Sequence, residues 1–475
     1  MTQNLIPQPS SLYNQSGTFS ISSVTNLKLD PPSAEMRAMG EYLASFLPLS
    51  KETQPASDGS GTIQLTLNGD LGLGEEGYEL SITADLVQLS AHRPAGIFYG
   101  IQTLRQLIRS EQNKTVSLPA VSIRDFPRFE WRGAMLDVAR HFFRVEDIKR
   151  YIDLISHYKM NRLHLHLTDD QGWRIEIKSW SQLTEIGSKT QVNGGGGGFY
   201  TQEEFKEIVE YARSRYVMIV PEIDTPGHTN AALASYPELN QSEEAPALYE
   251  GTEVGFSTLS INMEATYRFL DDVVRELAAI SPAPYIHIGG DEAKSTPEDD
   301  YKKFIRRIQQ IVFAHNKIPV GWAEIGEAEL DPRTIAQHWF GASYQGAKEQ
   351  GCKIILSPAN KAYLDMKYDP SSPLGLDWAG LISVKDAYDW EPGTYMEKLD
   401  ETDILGIEAP IWSETLVTIQ DVEFMAFPRL PGLAELAWSP KGRNWDEYKE
   451  RLIAHEPHME ALGINFFHSP DTVKE

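Results

Sequence analysis

One cysteine, Cys352, in 475 residues excludes an intrachain disulfide and any zinc site built from several thiolates. Positive charge is also scarce. Lys and Arg number 43 against 68 Asp and Glu, a formal charge of -25. That balance argues against nucleic acid or another polyanion as a partner and suits a neutral or cationic substrate. No apolar run approaches the ~18 residues that a membrane span needs. The start, Met1-Thr2-Gln3-Asn4-Leu5, lacks the basic head and apolar core of a signal peptide. The expectation is therefore a cytoplasmic protein, or a periplasmic or secreted one whose signal has been removed. The rest of the composition is ordinary for a globular chain, and the length calls for one large domain plus a smaller one.

Residues 1–125 read as a small α/β unit. Ile63, Leu65 and Leu67 alternate with polar residues, as in a half-buried strand. Glu79 to Leu89 reads as a hairpin turning at Ala84-Asp85. Met39, Leu43, Phe46 and Leu47 give one helical stripe, and Ile97, Ile101, Leu104 and Ile108 give another. Arg124-Asp125-Phe126-Pro127-Arg128 marks the expected boundary.

Residues 126–475 repeat a strand–helix theme. Eight candidate strands stand out: Gly133–Val138, Arg162–Leu167, Val217–Ile223, Tyr285–Ile288, Pro319–Trp322, Thr334–Trp339, Lys353–Leu356 and Gly406–Trp412. Thr201 and Glu204 form a capping box before the stripe Phe205, Ile208, Val209 and Ala212. A last helix is expected over about Trp445 to Leu462. Eight such units predict a (β/α)8 TIM barrel behind the N-terminal α/β domain. Polar and aromatic residues gather at the C-terminal ends of these strands, where barrel enzymes carry their sites. They include Asp137, Arg140, Asp169, Glu222, His228, Trp322, Glu324, Trp339 and Glu414.

The sharpest signal is His287-Ile288-Gly289-Gly290-Asp291-Glu292. Adjacent residues of a regular strand point to opposite faces. After a Gly-Gly break they need not, so Asp291 and Glu292 can face one pocket. Two close carboxylates cannot both ionise easily, which raises one pKa. An acid beside an anion is what acetal or ester cleavage requires. Trp322, Trp339 and Trp412 at strand ends, with Trp390 in the loop after strand seven, suit a sugar pocket.

Other motifs admit two readings. His164 and His166 face one way on strand two, as metal ligands or as an internal polar layer. His228 is either structural or paired with an acid such as Asp169. The run Gly194 to Gly198 lacks a P-loop ending and reads as a flexible loop tip.

At these motifs the chain resembles the family 20 glycoside hydrolases, the β-N-acetylhexosaminidases. Similar too are Arg132-Gly133 through Phe142, His164 through Arg174, Pro221 through His228, and the opening Leu5-Ile6-Pro7-Gln8-Pro9. The resemblance implies a substrate-assisted retaining mechanism that needs no metal or cofactor. Glu292 would be the acid and then the base, and Asp291 would hold the substrate's acetamido group. Asp169 and His228 would support Glu292. Arg132, Asp365 and Glu414 would grip sugar hydroxyls. Trp322, Trp339 and Trp412 would wall the acetamido pocket, Tyr363 would donate to its oxygen, and Trp390 would stack under the next sugar.

The implied partner is a carbohydrate ending in an N-acetylhexosamine, with neither nucleic acid nor membrane involved. Two rivals remain at this stage: a metal-dependent hydrolase using His164 and His166, and a sugar-binding protein without turnover. The gluco or galacto preference, the release of one sugar or two, and the oligomeric state, a homodimer included, stay open.

Overall fold

The computed structural model describes residues 4–49, 61–67, 70–110 and 116–472. Met1 to Gln3, part of the start read above for a signal peptide, lie outside the described residues.

The N-terminal strands are β1 (Ser11–Ile21), β2 (Asn26–Asp30), β3 (Thr62–Leu67), β4 (Tyr78–Ile82), β5 (Leu86–Ala91), β6 (Arg109–Ser110) and β7 (Val116–Asp125). They form one sheet in the order β1-β7-β4-β5-β3-β2, with β6 on β7. Alternation explains β3: Ile63 and Leu65 are fully buried. The expected hairpin is β4–β5, in register from Tyr78 opposite Ala91 to Ile82 opposite Val87. Helices Ala34–Ala44 and Pro94–Leu107 share one hydrophobic cluster with the sheet. Each stops short of its predicted stripe, so Phe46, Leu47 and Ile108 lie past the helix ends.

The barrel strands are β8 (Trp131–Asp137), β9 (Arg162–His166), β12 (Met218–Glu222), β13 (Tyr285–His287), β14 (Ile318–Trp322), β15 (Ile335–His338), β16 (Lys353–Leu356) and β17 (Ile404–Ile411). They close in a ring, all parallel, and all eight predicted strands are among them. Every residue of β8 is buried, as strands covered on both faces require. After β9, a small hairpin of β10 (Thr168–Asp169) and β11 (Gly172–Trp173) folds at the mouth and fixes Asp169. The capping box is present: Thr201 Oγ1 accepts from the Glu204 N–H at 3.1 Å, and Glu204 returns an acceptor to the Thr201 N–H at 2.9 Å. The last helix spans Trp445–Ala461.

The Gly194–Gly198 run is an exposed tip at Gly195 and Gly196 that becomes closely packed at Gly197 and Gly198. The Ser188 carbonyl accepts from the Gly198 N–H at 2.9 Å, and Arg174 donates to the Gly198 carbonyl at 3.2 Å. A Cβ on Gly197 would come 2.0 Å from the Ser188 oxygen, so only glycine fits this approach.

The barrel interior carries a charged layer around Glu222. Its carboxylate meets His164 Nε2 at 2.9 Å, His166 Nδ1 at 2.5 Å and His287 Nδ1 at 2.9 Å, and accepts from Trp322 Nε1 at 2.9 Å. His164 also meets Glu408 at 2.8 Å, and His166 meets Asp169 at 2.9 Å. Burial alone would lower these histidines. The surrounding carboxylates, Glu222 foremost, override it and lift His164 to about 9 and His166 to about 10. Both ring nitrogens of His164 and of His166 are engaged by carboxylates, the arrangement of a satisfied polar layer. The two histidines form the internal polar layer.

Sheet and barrel meet at Asp125. Its carboxylate accepts from Tyr78 Oη and Lys159 Nζ, both at 2.8 Å, and from Trp438 Nε1 at 2.9 Å. Nearby, Arg132 forms a fork to Glu76 at 2.7 and 2.8 Å and donates to the Lys159 and Phe129 carbonyls, both at 2.9 Å.

Candidate active site

Beyond β13 the chain turns at Gly289 (φ +71°) and Gly290 (φ +102°). A Cβ on Gly289 would lie 1.7 Å from Asp224 Oδ1, which accepts from the Gly290 N–H at 3.3 Å. Only glycine allows Asp224 to brace this turn so closely. Tyr301 Oη donates to the Gly290 carbonyl at 2.6 Å from the other side. Asp291 and Glu292 emerge into one cavity. Glu292 holds φ +46° and His228 φ +54°, a left-handed backbone that side chains avoid. Such strain gathers where the surroundings impose a geometry.

His228 bridges the acids to the barrel interior. Its Nε2 lies 3.7 Å from Glu292 Oε2 and 3.8 Å from Asp291 Oδ2, while its Nδ1 lies 3.3 Å from Asp169 Oδ1. Asp169 in turn pairs with Arg140 at 2.8 Å and His166 at 2.9 Å. Burial opposes a charge on His228. Asp169 and Asp224 outweigh it and raise the imidazole well above its ordinary value. Asp169 goes the other way: Arg140 and His228 overcome its burial and hold it far below the usual carboxylate range.

The cavity measures about 750 Å³, ample for a sugar. Asp291, Glu292, Trp339, Tyr363, Asp365, Trp412 and Glu414 line it, as the sequence predicts. Tyr363 and Trp339 stack nearly parallel, 15° apart with centroids 6.3 Å distant. Trp322 is fully buried one layer below, packed on Trp412 at 5.8 Å. Burial, with Glu222 and Glu292 nearby, pushes Asp291 up to about 6, against the opposing pull of His228. Burial and Asp291 together push Glu324 up to about 8. Burial and Glu414 raise Asp365 well above its ordinary value. Asp291 Oδ1, Glu414 Oε2 and Arg140 Nε are buried without a protein partner, as groups awaiting a polar ligand are.

Three expected residues are off the lining: Trp322, in the layer below, and Arg132 and Trp390, which lie elsewhere. Arg132 is the second residue of β8, fully buried at the N-terminal end and held by Glu76. That end is opposite the mouth, so Arg132 cannot grip a sugar there. Arg140, three residues past the end of β8, lines the cavity and lies 5.0 Å over Trp412. Trp390 is 8% exposed, donates to the Ala387 carbonyl at 3.0 Å and packs on Tyr395. Trp378, 51% exposed, stands at the mouth, edge-on to Trp339 and Tyr363. Sequence reading also missed Phe340 and Lys294 on the lining and the brace supplied by Asp224.

Adjacent carboxylates at the C-terminal mouth of a closed barrel, walled by tryptophans and a tyrosine, define a glycoside hydrolase. Residues 129–303 and 294–441 match the catalytic domain of glycosyl hydrolase family 20, and residues 2–126 match domain 2 of that family. The chain belongs to glycosyl hydrolase family 20, the β-N-acetylhexosaminidases. It is 40% identical to a β-N-acetylhexosaminidase of Cellulomonas fimi, over 98% of this chain and 96% of the relative. The N-acetyl-β-hexosaminidase of Streptomyces plicatus, solved with Thio-NAglucal, superposes with a TM-score of 0.95 at 46% identity, covering 100% of this chain and 98% of that one. A variant of that enzyme has been solved with the product GlcNAc. The family 20 enzyme of Streptomyces coelicolor gives 0.94 at 45% identity, over 98% of both chains.

Proposed function

We propose that this chain is a retaining exo-β-N-acetylhexosaminidase that removes terminal, non-reducing β-linked GlcNAc or GalNAc by substrate assistance. One observation carries the reading: Asp291 and Glu292 share a single cavity, with Glu292 the more exposed of the two. Their side chains are 10% and 24% exposed.

The steps follow from that placement. Glu292 gives its proton to the glycosidic oxygen as the sugar's acetamido oxygen attacks the anomeric carbon, and the bond to the leaving group breaks. Asp291 accepts the acetamido N–H and stabilises the positive oxazolinium ring. Glu292, now a carboxylate, takes a proton from water, whose oxygen attacks the anomeric carbon and restores the acetamido group. Two inversions give net retention. The His228 imidazolium, held by Asp169, adjusts the charge facing both acids. Trp339, Trp412 and Tyr363 enclose the acetamido methyl, with Trp322 behind them. Arg140, Asp365 and Glu414 bind ring hydroxyls at the closed inner end, which limits action to a terminal sugar. Trp378 receives the next sugar. Residues 126–475 carry the chemistry, and residues 1–125 brace the barrel floor.

The test compares 4-nitrophenyl N-acetyl-β-glucosaminide with the matching β-glucoside, with and without chelator. Turnover of the acetamido sugar alone, indifferent to chelator, supports the mechanism. Equal turnover of both sugars overturns it.

A further inference from the structure

Three histidines far from the catalytic mouth remain outside this account. His455 and His458 stand three residues apart on the helix Trp445–Ala461, hence on one face. They meet His157, the last residue of the helix Val145–His157 that returns from β8 to β9. One ring nitrogen of each lies within 4.8 Å of the other two. His157 Nε2 and His458 Nε2 are 2.8 Å apart, and their rings stack with centroids 4.8 Å distant. His455 lies 4.8 Å from His458, centroid to centroid. His157 and His455 are buried, whereas His458 is half-buried and opens a path to solvent.

Two imidazole nitrogens at 2.8 Å cannot face each other with bare lone pairs, so a proton or a cation must lie between them. His157 Nδ1 is buried and has no hydrogen-bond partner. An ion on Nε2 leaves this nitrogen as an unpartnered N–H, as a proton there also can, so the geometry of the three rings carries the choice.

The charge state also differs from that of the barrel histidines. Burial lowers all three rings, His455 to about 3 and His458 to about 4, with His157 far below its ordinary value. The charged groups acting on them are cations: Arg105 on His157 and His458, Lys159 on His157, and Arg451 on His455. Burial and these cations push the rings toward the neutral form, the one that ligates a metal. His164 and His166, ringed by carboxylates, are pushed the other way.

We propose that His157, His455 and His458 form a binding site for one transition-metal ion of the zinc class, with water in the fourth position. Three imidazoles suit Zn²⁺, Co²⁺, Ni²⁺ or Cu²⁺ and not the harder Mg²⁺ or Ca²⁺. A tetrahedral ion with bonds near ~2.0–2.1 Å needs nitrogens about 3.3 Å apart. His157 and His458 must part by about 0.5 Å, and His455 must exchange its 3.0 Å contact with Tyr158 Oη for the ion. The neighbouring cations Arg105, Lys159 and Arg451 oppose a divalent ion and weaken its binding. The ion would clip the last helix to the first barrel helix and act on stability alone.

The test uses the full chain, stripped with chelator and titrated with Zn²⁺ and, separately, Co²⁺. The expected result is one equivalent bound and the visible absorption of tetrahedral Co²⁺. A melting point raised by about 3 °C at ~100-fold excess over Kd is also expected. Turnover should be unchanged. H458Q, at the half-buried position, should lose both binding and the melting shift while still hydrolysing substrate. If it fails to fold, the wild-type cobalt spectrum decides by itself. The proposal is overturned by no binding, by binding that survives H458Q, or by an ion that inhibits turnover and is displaced by GlcNAc. That last outcome would place the ion at His228, Asp291 and Glu292.

Discussion

Asp291 and Glu292 are consecutive in the chain yet differ in their access to water, with side chains 10% and 24% exposed. The more enclosed acid is the one that burial lifts to about 6. The pair thereby divides into a more enclosed and a more accessible carboxyl, the division that the proposed mechanism uses.

Asp291 should cost stability where it serves catalysis. Its folded pKa of about 6 lies above the ordinary 3.8, so the folded state holds the proton more tightly than the unfolded one. Stability therefore falls as pH rises from 3.8 to about 6, and the loss persists above that window. Asp291→Asn removes the buried charge at nearly constant shape. At pH 7 it should be more stable than the parent by about 1–3 kcal/mol in denaturant melts. It should also lose about 10²–10⁴-fold in turnover. A variant that is both less active and less stable would contradict this account.

The same group predicts an acidic limb. If Asp291 must be ionised to hold the acetamido N–H, kcat/KM should fall about tenfold per pH unit below about 6. The limb belongs to the coupled acids together and not to one oxygen. A profile on an aryl glycoside that stays flat down to pH 4.5 removes the requirement.

Both arginines of β8 and its loop should cost stability when removed, since each neutralises an enclosed carboxylate, but only Arg140 should affect the substrate. Arg132→Gln strands Glu76, which is 21% exposed, and should cost about 3–5 kcal/mol in thermal or denaturant melts. The folded fraction should keep its KM. Arg140→Gln should raise KM or lower kcat/KM about 10–100-fold at a temperature where the variant is folded, by loss of charged bonds to sugar hydroxyls. The reverse pattern would restore Arg132 to the site.

Glu324 should act by positioning Trp339. Its two oxygens accept from Trp339 Nε1 at 3.1 and 3.0 Å, and burial with Asp291 nearby takes it up to about 8. At pH 6 it is neutral, so Glu324→Gln keeps both charge and acceptor and should hold KM within about twofold. Glu324→Leu frees the indole and should raise KM about 5–10-fold, worth ~1 kcal/mol, with kcat less affected. Equal effects in both variants would show that the hydrogen bond is irrelevant.

The eight barrel strands were legible because strands buried on both faces are apolar runs closed by polar or glycine residues. Asp291, Glu292 and Glu414 stand out for a related reason, since a polar residue just past a strand end has only the mouth to face. Arg132 misled because an Arg-Gly pair resembling a family motif drew attention to the start of β8, whereas the mouth lies at its other end. Arg140 satisfies that geometric rule. Trp378 and Trp390 share one long connection with little periodicity. Which of them is exposed depends on whether Tyr395 and Ala387 cover it, and no local pattern encodes that. The partners of His157 lie some 300 residues along the chain, at 455 and 458, so nothing local could join them.

The Asp125 node sets how this molecule comes apart. Tyr78 reaches it from the N-terminal sheet, while Lys159 and Trp438 reach it from the barrel. Removing the sheet would leave a buried ammonium and the Arg132 guanidinium without their carboxylates, and would bare Trp438 to water. The barrel is therefore not a module that truncation can release. The two parts should melt in one cooperative transition, and an evolutionary exchange of the N-terminal unit would have to carry its anionic contacts with it.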